Sequence, residues 1–97
     1  MKNQPTYIKD KNNKRIFSGD ILVIKKYKDD IENFTYGMFL VQFLKPKNEL
    51  PYFIIKDLKE ELIEDDNIEK DLSKSIKIGS MRYFKIAEKK FNKIISQ

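Results

Sequence analysis

The chain has 97 residues, 20 basic and 15 acidic side chains and a formal net charge of +5, the dimensions of one domain with a modest core. It holds no cysteine and no histidine, which excludes disulfides, thiolate metal sites, imidazole ligands and the Ser-His and Cys-His dyads. No apolar run approaches the roughly 20 residues of a membrane span, and residues 1–5 lack the apolar centre of a signal peptide, so a cytoplasmic protein is expected.

Ile8, Ile16 and Phe17 flank the polar run Lys11-Asn12-Asn13-Lys14, which predicts two short extended pieces around an Asn-Asn turn. Ser18-Gly19-Asp20 is a second turn. Residues 21–27 then read as a strand with Ile21 and Val23 on one side and Leu22 and Ile24 on the other, buried at first and emerging at Lys25-Lys26. Residues 28–33 are a polar loop. Residues 34–44 alternate throughout and form the strongest strand, with Gly37 as the expected bulge. Pro51 leads a short strand over residues 52–55, an acceptable place for a residue without an N–H.

Residues 57–64 change period. Leu58, Leu62 and Ile63 fall at helical spacing, with Asp57 as the cap and Glu60 three residues on. Ile68 and Leu72 suit one further helical turn or a mobile connection, and residues 75–78 a last strand stopped by Gly79. From Ser80, a plausible N-cap, Met81, Phe84, Glu88, Phe91 and Ile95 share one helical stripe with Ala87 and Ile94 beside it. Residues 87–95 are predicted helical, while 81–86 suit strand or helix. The densest apolar strand positions, Leu22, Ile24, Phe39, Val41, Phe43, Phe53 and Ile55, are expected to share one core with Phe43 buried. The result is a single α+β domain over residues 1–97. It is expected to be a small SH3-like twisted barrel of about five antiparallel strands with one or two short helices in the C-terminal half.

The segment Pro5-Thr6-Tyr7-Ile8-Lys9-Asp10-Lys11-Asn12-Asn13-Lys14-Arg15-Ile16-Phe17-Ser18-Gly19-Asp20-Ile21 resembles the opening of YopX-type proteins. Those carry a Thr-Gly-Leu-Lys-Asp lead, an Asn-Gly turn and an Ile-aromatic-x-Gly-Asp-Ile step, and Ile78-Gly79-Ser80 is similar to an Ile-Gly-Asn step near their end. Tyr7 and Asn13 stand where that pattern has glycine. The resemblance implies a small β-barrel-like protein of phages and prophages, and it offers no catalytic residue to carry over.

Charge is segregated. Residues 1–56 carry a net +5, residues 57–71 a net −6 and residues 72–97 a net +6. The acidic block, represented by Glu60, Glu61, Glu64, Asp65 and Asp66, is the expected contact for a host or defence-system protein, whose nucleic-acid channel it would occupy as a phosphate mimic. The alternative is nucleic-acid binding by basic residues interleaved with aromatics, Lys25, Lys26 and Lys28 around Tyr27 and Arg82 and Lys85 around Tyr83. Two arginines limit base-edge readout. A third reading takes Asp57-Leu58-Lys59, with Asp20 or Glu49 as an earlier acid, as the Mg²⁺ site of a nuclease. Asp65, Asn67, Glu69 and Asp71 alternate like an EF-hand loop, but Lys70 and Ile76 occupy the positions that need glycine and glutamate. The expectation is a non-enzymatic protein without metal or cofactor that binds a macromolecule.

Overall fold

A computed structural model describes residues 3–27, 34–59, 63–64 and 68–96, at 26, 27, 63 and 64 by backbone alone. The strands are β1 (Pro5–Lys9), β2 (Arg15–Phe17), β3 (Asp20–Tyr27), β4 (Phe34–Leu44), β5 (Tyr52–Asp57), β6 (Ile63–Glu64) and β7 (Ile76–Ser80). The helices are α1 (Ile68–Lys74) and α2 (Phe84–Ile95), the latter entered through a 3-10 turn, Met81–Tyr83. β1 and β2 form one hairpin, and the other strands form an antiparallel sheet in the order β6-β5-β4-β3-β7. Among the described residues this sheet is open, with β6 and β7 at its two edges. No helix among them is long and apolar enough to cross a membrane.

Two-sided alternation in β3 and β4 dictates the layering, since successive side chains leave a strand on opposite faces. Leu22, Ile24, Phe39, Val41 and Ile55 meet Ile16 of the hairpin and Leu72 of α1 on one face. Ile21, Val23, Met38 and Ile78 meet Ala87 and Phe91 of α2 on the other. The positions expected to share a core do so, Leu22, Ile24, Phe39, Val41 and Ile55 with Phe53 packed against them, and the sheet carries a second core on its other face. Phe43 is only half-buried, stacked at 4.8 Å against its cross-strand partner Phe53.

The Asn12-Asn13 turn forms as expected, with Asn13 left-handed at φ +65°. The irregularities of the sheet lie elsewhere than at Gly37, which pairs with Ile24 inside an unbroken β3–β4 register. One lies in β7, where the register slips opposite Ile21 and Leu22. The other lies in β1, where Thr6, Tyr7 and Ile8 oppose the single residue Ile16 of β2 and Tyr7 adopts φ +62°. The Thr6 hydroxyl fills that bulge, donating to the Ile16 carbonyl at 2.8 Å and accepting the Ile8 N–H at 3.1 Å.

The capped helix expected from Asp57 is not found at either described end. Asp57 closes β5 opposite Phe39, and Ile63 and Glu64 pair back onto Lys56 and Ile55. Its carboxylate accepts the Lys59 N–H at 2.9 Å and so serves a turn. A free sheet edge offers a row of backbone partners that a short isolated helix must do without, and the edge wins. β7 also continues through Gly79, whose missing Cβ matters: an added one would stand 3.1 Å from the Ala87 Cβ. That close approach sets the rotation of α2. Phe84, Ala87, Phe91 and Ile94 turn inward, whereas Met81, Glu88 and Ile95 of the expected stripe are exposed. Ser80 is extended and caps nothing with its side chain.

Candidate functional site

The outward arc of α2 follows from its inward one. With 3.6 residues per turn, a helix that buries positions 84, 87, 91 and 94 must present 85, 89 and 93 to solvent. Those positions are Lys85, Lys89 and Lys93, a straight ridge with a rise of about 6 Å from each lysine to the next. Arg82 leads into it and Lys90 flanks it, and all five side chains are exposed. Glu88 is the one acid between residues 81 and 96. Among the described residues no carboxylate pairs with Lys85, Lys89, Lys90 or Lys93. Like charges four apart on a helix destabilise it by about 0.2–0.5 kcal/mol a pair, so the ridge is a cost that the α2 core contacts offset. Two apolar side chains interrupt the cationic surface, Tyr83 at 58% exposure and Ile86 at 56%. The Arg82 guanidinium lies 5.8 Å from the Tyr83 ring centroid.

The expected basic residues divide between two places. Arg82 and Lys85 stand together at the start of the ridge. Lys25 lies on β3 where that strand pairs with β4 alone, its ammonium 3.9 Å from the Phe34 ring centroid, and Phe34 meets Tyr36 edge-on at 5.5 Å. Ser80 pairs with Asp20, and Lys25 is five residues further along β3, roughly 16 Å away. Lys26 is placed by its backbone in β3, and Lys28 lies outside the described residues. Lys89 and Lys93 were missed in the sequence, although a lysine every fourth residue opposite Phe84, Ala87, Phe91 and Ile94 is the signal that finds them.

Of the acidic set, Glu60, Glu61, Asp65 and Asp66 lie outside the described residues, and Glu64 is placed only as a backbone partner of Ile55. Asp57 is buried and takes no part in an acidic surface. The acid-x-lysine site does not assemble. By its register Asp57 shares the Phe39 face of the sheet, while the Lys59 ammonium lies 4.7 Å from the ring centroid of Phe91 on the α2 face. The Asp20 carboxylate accepts the Phe17 N–H at 2.7 Å and pairs with Lys77 at 3.0 Å, and Glu49 is exposed on the loop before β5. No cluster of three acidic side chains fit to hold a metal occurs among the described residues.

A second exposed feature escaped sequence reading. Tyr7 is 92% exposed at the crest of the β1 bulge, in a backbone conformation that L-residues adopt at a cost. Comparison with family models, with curated proteins and with solved structures finds no match to this chain.

Proposed function

We propose that this protein is a non-enzymatic binding module whose α2 ridge contacts the phosphate backbone of a nucleic acid. One observation carries the reading: Lys85, Lys89 and Lys93 stand in line, exposed, and among the described residues no carboxylate pairs with them. Their separation is close to that of neighbouring phosphates along one strand. A basic amphipathic helix also suits an anionic membrane. Here, however, the apolar arc of α2 is packed on the sheet, leaving only isolated apolar side chains for a bilayer.

The resemblance to YopX-type proteins, and with it an origin in a phage or mobile element, belongs to this proposal. Two facts support it. Tyr7 and Asn13, which replace glycines of that pattern, are the non-glycine residues held at positive φ among the described residues. The β1–β2 hairpin laid over the β3–β4–β5 meander is also how an opened SH3-like barrel is arranged. A cytoplasmic setting is part of the reading, since nucleic acid is met there.

A second reading keeps the acidic block as the contact for a host or defence-system protein, supported by the net −6 of residues 57–71. Binding of labelled nucleic acid across a salt series separates the two. Replacing Lys85, Lys89 and Lys93 by Gln should lower affinity and reduce the slope of log K against log salt by about 2–3, the release expected for three phosphates of a single strand or a duplex. Reversing Glu60, Glu61 and Glu64 to Lys should strengthen nucleic-acid binding, whereas a protein partner held by the acidic block should be lost. Wild-type protein that binds no nucleic acid at low salt overturns the first reading.

A further inference from the structure

We infer, resting on the proposed α2 interface, that its ligand is a single strand, held by its phosphates on the lysine ridge and by one base stacked on Tyr83. A straight ridge of cations follows one backbone. A duplex presents phosphates on both sides of a groove, and α2 has one cationic line and a buried opposite arc. The one arginine of this stretch, Arg82, stands over the Tyr83 ring, where it can add to a stacked base.

The apolar residues of the surface are placed for unpaired bases. Tyr83 and Ile86 are three residues apart, and both are more than half exposed beside the basic side chains of the ridge. An exposed tyrosine ring offers a π-face to any base, and the adjacent guanidinium adds a cation to the stack. Tyr83 closes the 3-10 turn that feeds α2, and Lys85 begins the ridge two residues later. A strand whose base lies on Tyr83 therefore has its next phosphates within reach of Lys85 and then Lys89.

The test is fluorescence anisotropy with a labelled thymidine oligonucleotide and a blunt duplex of the same length, using the full chain. The oligonucleotide should bind the wild type more tightly than the duplex. Tyr83→Ala should weaken oligonucleotide binding about tenfold, within the range of one aromatic–base stack, and leave duplex binding unchanged. Tyr83→Phe should restore it, because the ring and not the hydroxyl does the stacking. Circular dichroism of each variant establishes that α2 is intact, as expected for an exposed side chain. Equal affinity for duplex and oligonucleotide, or indifference to Tyr83→Ala, overturns the single-strand inference and leaves nucleic-acid binding standing. Failure of the wild type to bind either probe overturns both.

Discussion

Asp10→Ala tests whether one carboxylate holds the β1–β2 hairpin on the sheet. Asp10 is buried and accepts three backbone N–H groups: Asn12 at 2.9 Å, Lys14 at 2.7 Å and Lys77 at 2.8 Å. The first two close the Asn-Asn turn, and the third ties that turn to β7, 67 residues away. Bonds to a charged acceptor contribute about 1.5–3 kcal/mol each and neutral ones about 0.5–1.5. Asn12 and Lys14 are exposed, so water replaces much of what their amides lose, and the lower range applies to them. Lys77 is half-buried under the hairpin, and the upper range applies. The backbone bonds Asp10–Lys14 and Lys11–Ser75 remain and limit the damage. The expected loss is about 3–4 kcal/mol. Asp10→Asn keeps the oxygen serving Asn12 and Lys14 but turns an NH₂ toward the Lys77 N–H, for about 1.5–3 kcal/mol. Urea unfolding measures both, at unchanged m-value, and amide exchange at Lys77 should quicken in each variant. A cost below about 1 kcal/mol for Asp10→Ala would refute the reasoning, as would an unchanged Lys77 exchange rate.

Phe91, 1% exposed beneath α2, should cost about 3–5 kcal/mol on truncation to Ala, and denaturant melts should also show Phe43→Ala costing clearly less because Phe43 is half-buried. Tyr7→Gly should raise stability by about 0.5–1 kcal/mol in the same melts, since relief of a left-handed residue, about 1–2 kcal/mol, exceeds the added chain entropy of glycine. A destabilised Tyr7→Gly variant would mean that the exposed ring makes a contact the fold needs.

Hydrogen bonding of this kind cannot be read from a sequence. Asp10 looks like any polar turn residue until the fold brings Lys77 to it, and Lys77 in turn reaches Asp20 at 3.0 Å and the Arg15 carbonyl at 3.0 Å. A hairpin, a strand edge and the start of β3 are thereby joined through side chains that carry no motif. The same holds for the candidate site. Arg82 and Lys85 were legible as basic residues around Tyr83, but their continuation through Lys89 and Lys93 depends on which arc of α2 is buried.

What the sequence determined by itself is what local periodicity determines. Unbroken alternation set β4 at residues 34–44, and two-sided burial in β3 was visible in Ile21 through Ile24. Pro51 marked the start of β5, and Asn12-Asn13 the first turn. These signals lie within one strand or one turn, so neighbours along the chain suffice to specify them. Residues 57–64 went the other way: the helical spacing of Leu58, Leu62 and Ile63 is real, but β5 offered its open edge to Ile63 and Glu64. The rotation of α2 was likewise decided at a distance, by the gap at Gly79 into which Ala87 fits. Only the tertiary structure could choose in both places, because the deciding partner is a backbone edge or a missing Cβ on another element.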